Sequence, residues 1–507
     1  MTKKKKKSRS GKITTPLAGH KRVGKALVPP MLQLEGVSFS SWVNDRLPEM
    51  LWASLVITVI PRDQALEAFR DIAALGLRYR KDEREQATGW TLRHTHLPAQ
   101  PRELFEALVG RVLRCHAGAQ ALRPLLLLEN LPGITWWKAA LGSEPIEDDW
   151  QTLGQAVQKT FDHQSQEATD VRWVSILFKI ALGEMLFPAG FEEHLLEIVE
   201  YPNRGDMRSV RPSIRAMEMT FTHLGQSSWS ESFWTDMLQQ TGCTPAPLLP
   251  REKPSNDLQA VRLGLVEVRK ALLEHWFTTL STSGIDPKQD GVFGFGFFAL
   301  SCFAEMSSGP LNEGIAGRLL LRALTECRIS LAFLVRCGDD AMWKKFRSYG
   351  AGQAKLALLK HEEMTGERPR FVTLETLERL ANEDYFQEYV EIDLGHWCGK
   401  DLRKLAEESG TKEDYDRYYG WASGFVHGQW GAMRDSNFTH CLNPLHRFHR
   451  VPLPFHRKLE PTLDDGLQLV NSILDDVSTA YPGFNARIKI SSDSMERQED
   501  AATVEPT

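Results

Sequence analysis

Apolar residues in this 507-residue chain return every three or four positions, segment after segment, and rarely alternate, so the backbone is directed to helices rather than sheet. Pro61 opens PRDQALEAFRDIAALG with Gly76 as its expected stop, and Pro101 opens PRELFEALVGRVLRCHAG, expected to end near Gly118. Similar patterning marks Trp150–His163, Val171–Phe187 and Phe191–Val199. The expectation is an all-α protein. A chain of this length exceeds one core, which predicts two helical domains. The clearest boundary is PAPLLPREKPSND, where Pro245, Pro247, Pro250 and Pro254 exclude a helix and predict an extended connector. The expected order is a basic disordered arm (1–34), an N-terminal helical domain (35–244), a Pro-rich linker (245–257), a C-terminal helical bundle domain (258–485) and an acidic disordered tail (486–507).

Charge is uneven along the chain. Residues 1–30 hold ten Lys or Arg and no acid, so the net −5 leaves 51 basic against 66 acidic residues in the remainder. Lys3, Lys4, Lys5, Lys6 and Lys7 could touch RNA phosphates without reading sequence, or simply solubilise a leader. Seven scattered cysteines without a C-x-x-C pair give no disulfide framework, which fits a reducing cytoplasm. The longest apolar stretches, Met50–Ile60 and Val292–Ala304, fall short of the ~20 residues a membrane span needs, so no membrane partner is expected.

Two helices carry the candidate chemistry. In PLNEGIAGRLLLRALTECRISLAFLVRCG, apolar residues surround most of the helix, which predicts burial, and Arg322 and Glu326 share a face four residues apart. That pair reads either as an internal salt bridge that sets packing or as part of a pocket. In DYDRYYGWASGFVHGQWGAM, the tyrosines, Phe425, Val426 and Trp430 form an apolar face opposite Gly420, Gly424, Gly428 and Gly431. Such glycines predict a tightly crossing helix or ligand, and Gly424→Leu as a disruptive change; the alternative is a helix that breaks near Gly428. His427 borders that face, with Ser423 one turn before it and Asp416 and Arg434 near the same azimuth. Imidazole is suited to proton exchange near neutral pH.

The segments LLLRALTECRISLAFL and HWCGKDLRKLAEESG…YDRYYGWASGFVHG, with Arg322-x-x-x-Glu326 and Ser423-x-x-x-His427-Gly428, resemble the bacterial family called domain of unknown function 5677, over roughly residues 290–480. The resemblance implies one all-helical bundle holding both helices and brings no established activity. By analogy alone it invites comparison with HEPN ribonucleases, whose toxins use an Arg-x(4–6)-His motif. That spacing occurs at Arg111/His116, Arg269/His275, Arg434/His440 and Arg450/His456, but roughly three matches are expected by chance, so it carries no weight here.

Other motifs are weaker. His440, Cys441, His446, His449 and His456 crowd together, yet no second paired motif closes a four-coordinate site, so no metal is expected and a basic aromatic loop is the preferred reading. Gly294-x-Gly296-x-x-Ala299 lacks the strand and βαβ unit of a dinucleotide site and reads as an apolar helix start, so no cofactor is expected. Two function classes remain. The preferred one is a non-catalytic interaction, sensor or scaffold module, with a protein partner or a homodimer. The alternative is a HEPN-like, metal-independent ribonuclease, a toxin or defence effector. There His427 is acid/base, Arg322 holds phosphate, Glu326 and Ser423 complete the catalytic set, and Arg434 touches nucleic acid.

Overall fold

The computed structural model describes residues 19–28, 40–82, 89–185, 187, 190–219, 227–248, 258–382 and 390–489. Lys3 to Lys7, residues 249–257 of the expected linker and residues 490–507 of the expected tail lie outside them. Among the described residues the fold is all-α: 67% of them are helical, with two small two-stranded sheets. One sheet, Lys21–Val23 with Ala26–Val28, falls within the expected basic arm. Two compact units divide the chain, one of Met1–Ala246 with His440–His449 and the other of Pro247–Thr439 with Arg450–Thr507. Among the described residues, no helix is long and apolar enough to cross a membrane.

In the first unit the apolar run becomes the central helix Leu51–Val59, whose first seven residues are all buried. It ends where Ile60 turns extended before Pro61, the conformation a following proline imposes. Helices Gly118–Leu122, Asp148–Phe161 and Gln166–Ala181 pack around it. The last of these is capped by Ser165, whose hydroxyl accepts from the Ala168 N–H at 3.0 Å. Three tryptophans fill the core without stranding their polar atoms. Trp42, Trp52 and Trp173 donate from Nε1 to the carbonyls of Thr160, Leu92 and Ile198 at 2.7, 2.8 and 2.7 Å.

Helix Arg62–Asp82 runs through Gly76, the expected stop. The glycine has a packing role instead: a Cβ there would lie 2.9 Å from the Phe178 ring of the crossing helix Gln166–Ala181. Local sequence cannot distinguish a helix-ending glycine from one that admits a neighbour. Gly76→Leu should therefore overpack this crossing and lower stability by about 1–3 kcal/mol, read from the denaturation midpoint.

In the second unit, helices Leu258–Thr279, Pro287–Met306, Ile315–Cys337 and Leu463–Ala480 form the core. Helix Pro287–Met306 starts at Asp286, whose carboxylate accepts from the N–H groups of Lys288 and Gln289, both at 3.0 Å. Gly294 and Gly296 thus sit in mid-helix rather than at a helix start. A Cβ on Gly296 would lie 3.1 Å from Leu272, so that glycine serves helix packing.

Candidate functional site

The site lies in the second unit, where helix Ile315–Cys337 meets the segment Lys412–Asn437. Helix Ile315–Cys337 buries Leu324, Ile329, Leu331 and Leu334 against helices Pro287–Met306, Leu402–Ser409 and Leu463–Ala480. Its deeply buried cation is Arg318, which donates to the carbonyls of Asn312 (3.2 Å), Gly314 (3.1 Å) and Glu460. One turn on, Arg322 reaches the edge of the bundle: its side chain is 17% exposed and that of Glu326 is 43% exposed. The Arg322/Glu326 pair is therefore a boundary ion pair rather than an internal lock.

The opposing segment is not one helix. A short turn, Lys412–Asp414, widens into a single π-type turn at Tyr415–Tyr419 and then tightens to helix Gly420–Val426. Such wide turns are frequent at functional sites. The helix ends at His427. Gly428 takes φ +56° and donates to the Phe425 carbonyl at 3.4 Å, while Gln429 donates to the Gly424 carbonyl at 2.9 Å. This is the paired closure that a left-handed glycine permits. A new helix, Trp430–Asn437, follows.

The glycine face expected to admit another helix is thereby corrected. A Cβ on Gly420 would meet nothing within 4 Å; on Gly424 it would meet the Gln429 side chain at 3.3 Å; on Gly431, the Trp421 ring at 3.3 Å. Of the four glycines, Gly428 is the one the chain reversal requires. Because the Gln429 side chain can move aside, Gly424→Ala should cost under about 1 kcal/mol. A loss of more than that in a denaturation titration would restore the close-approach reading.

Around Arg322 three side chains converge. Its Nε donates to Glu326 Oε1 at 2.9 Å, and a terminal nitrogen donates to the Tyr419 hydroxyl at 3.2 Å. The other terminal nitrogen lies 3.5 Å from His427 Nε2. Arginine can only donate, so this contact requires His427 Nε2 to accept, the tautomer with hydrogen on Nδ1. The guanidinium carbon also stands 5.0 Å from the centre of the Tyr419 ring, which stacks on Tyr415 at 4.8 Å. Burial, with Tyr419 alongside, raises the pKa of the Tyr415 hydroxyl.

Arg322, Glu326 and His427 are thus brought together. Ser423 is half-buried in the same helix, its carbonyl accepting from the His427 N–H at 3.1 Å, and its spacing places it between Tyr419 and His427. Asp416 is held by Lys412 through an ion pair. Arg434 is exposed in the last turn of the next helix. Tyr419 is the member that apolar periodicity does not single out, because periodicity counts its ring with the apolar face and ignores its hydroxyl. The four-residue step Tyr419, Ser423, His427 was the signal that could have identified it. The cluster is open to solvent: His427 is exposed, and the charges of Arg322 and Glu326 are screened at the boundary. Arg322→Ala should accordingly change stability by less than about 1 kcal/mol, which a thermal-unfolding comparison with wild type would check.

No curated protein and no solved structure matches the chain. The stretch that holds both halves of the cluster, residues 313–442, matches the model of a family of unknown function, DUF5677.

Proposed function

We propose that the Arg322–Tyr419–His427 cluster binds a phosphodiester of RNA and cleaves it by transesterification. The observation that carries this reading is the convergence of a guanidinium, a phenol and an imidazole lone pair at a solvent-facing edge. A buried lock would need none of that exposure. In the proposed reaction His427 Nε2 takes the proton of the ribose 2′-hydroxyl while the 2′-oxygen attacks phosphorus. Arg322 and Tyr419 donate to the non-bridging oxygens as charge develops on them. The P–O5′ bond breaks, and the proton held by His427 passes to the departing 5′-oxygen, leaving a 2′,3′-cyclic phosphate. Glu326 holds Arg322 in register, and Ser423 lines the same face.

The test is induced expression of wild type beside His427→Ala and Arg322→Ala, with total RNA examined and fragment ends assayed for cyclic phosphate. Degradation and slowed growth with wild type alone are expected. Equal RNA integrity and growth in all three would remove the nuclease reading.

A second reading, the non-catalytic interaction module, draws support from a neighbouring surface. Trp421, Trp430, Val426 and Met433 are exposed by 57%, 58%, 43% and 44%. Clustered exposed indoles are typical anchors for a protein partner or homodimer. Under that reading, Trp430→Ser abolishes association seen by light scattering while Arg322→Ala leaves it intact.

A further inference from the structure

The first unit holds a second chemical cluster, built from residues other than those of the proposed RNA site. Helix Ser228–Gln240 ends in Thr241-Gly242-Cys243-Thr244, and residues 440–449 return in sequence to pair with it. Ala246 N–H donates to the His440 carbonyl at 2.7 Å, and Leu442 N–H donates to that of Thr244 at 2.6 Å. This pairing sets Cys243 beside Cys441, His446 and His449. Cys243 Sγ lies 3.5 Å from His446 Nδ1 and 3.3 Å from His449 Nε2, and Cys441 Sγ lies 3.5 Å from the same His446 Nδ1. One ligand atom from each of the four residues falls within 4.8 Å of all the others.

We propose that Cys243, Cys441, His446 and His449 bind one zinc ion in a closed, four-coordinate structural site. Zinc bonds of about 2.3 Å to sulfur and 2.0–2.1 Å to nitrogen put tetrahedral S···N edges near 3.6 Å, close to the separations here. Two sulfurs and two imidazole nitrogens are the donor set that favours tetrahedral zinc over the harder cations.

The surroundings prepare the donors. His446 Nε2 faces the Thr241 carbonyl at 3.1 Å and the Thr241 hydroxyl at 2.9 Å. That hydroxyl donates its own hydrogen to the Met237 carbonyl at 2.7 Å, so Nε2 must be the protonated nitrogen and Nδ1 presents its lone pair to both sulfurs. The Thr244 N–H points at Cys441 Sγ from 3.4 Å, fixing where the sulfur sits. Asn443 ties the two segments together, donating to the Thr241 hydroxyl at 3.1 Å and to the Gly242 carbonyl at 2.9 Å. Between the two histidines, Arg447 and Phe448 both take positive φ, +52° and +49°, which non-glycine residues adopt only when their surroundings hold them. Phe448 packs edge-on against Phe161 at 4.6 Å, and Arg447 lies over Trp234 at 5.2 Å while donating to Asn44 at 2.9 Å. The reversed turn brings both imidazoles to one point, their centroids 5.2 Å apart.

All four coordination positions are filled by protein, so the ion would clasp residues 440–449 to the end of helix Ser228–Gln240 rather than activate water. No paired C-x-x-C or H-x-H motif announces it, because the fourth donor, Cys243, comes from a remote part of the chain.

The full-length protein, purified under reducing conditions, should carry about one zinc per chain by elemental analysis. After chelation, titration with Co²⁺ should produce the intense visible ligand-field bands of a tetrahedral site and thiolate-to-cobalt charge transfer, saturating near one equivalent. Cys243→Ser changes an exposed ligand and should keep the native circular dichroism while losing most of the zinc. His446→Ala should do the same, and His456→Ala, outside the quartet, should retain full zinc. Should folded wild type hold only background zinc and give no tetrahedral cobalt spectrum, the site does not exist. Undiminished zinc in folded Cys243→Ser, or a Cys243–Cys441 disulfide in the reduced preparation, would equally overturn it.

Discussion

Truncating Glu218 to alanine should destabilise the first unit by about 3–5 kcal/mol, enough to consume much of a typical domain's stability. Glu218 sits on helix Met207–Met219 and is 6% exposed. Its carboxylate is shared by two guanidiniums that are themselves buried: an ion pair with Arg46 and a contact at 3.6 Å with Arg172 Nε. Both cations also lie over the Trp42 ring, at 5.7 and 4.3 Å. Burial is the main force on Arg172, lowering its pKa to about 10; Glu218 opposes the shift and Arg46 adds to it. Removing the shared anion leaves two positive charges facing each other with little water, so the loss exceeds that of one surface ion pair. Chemical denaturation of the variant measures it. A triple replacement, Arg46→Met, Glu218→Leu and Arg172→Met, should recover most of the stability, because an apolar trio removes the desolvation problem together with the pair. A Glu218→Ala midpoint within 1 kcal/mol of wild type would show that the carboxylate is not what holds these arginines.

The second large effect is acid sensitivity seated at His94. This ring is fully buried between Trp137 and Trp229, at centroid distances of 5.6 and 5.3 Å. Its Nε2 accepts weakly from the Trp52 N–H at 3.4 Å, and its Nδ1 has no hydrogen-bond partner among the described residues. Desolvation lowers its pKa from 6.5 to about 3. The native state therefore refuses a proton that the unfolded chain accepts below pH 6.5. The stability linked to His94 is intact above 6.5, falls as the pH drops through the interval, and is fully lost near pH 3. A shift of that size corresponds to roughly 4–5 kcal/mol. Unfolding midpoints measured across this range should decline steeply for wild type and more gently for His94→Gln, which cannot titrate. Parallel curves would assign the acid loss to other groups.

The helical class was legible because it is written locally. Pro61, Pro101, Ser165 and Asp286 each act within a turn of where they stand, and the apolar period needs no distant partner to be read. Arg322 and Glu326 were legible for the same reason, being one turn apart on one helix, as were Ser423 and His427 on another. Their meeting was not, since it joins helices some hundred residues apart. Tyr419 is not singled out because periodicity sorts residues by face and not by what the face touches. Gly76 and Gly424 show the same limit: both are ordinary helix-weakening residues in sequence, yet one admits Phe178 and the other lies beside a chain reversal.

By itself, then, the sequence determined the element type, the pairs within each helix, and the stretch recognisable as a family of unknown function. Only the tertiary structure decided that Arg322 reaches Tyr419 and His427 at a solvent-facing edge. It alone placed Cys243 against Cys441, His446 and His449. The physical reason is range: helix propensity and capping act over a few residues, whereas a site is a coincidence of side chains whose separation in space bears no relation to their separation along the chain.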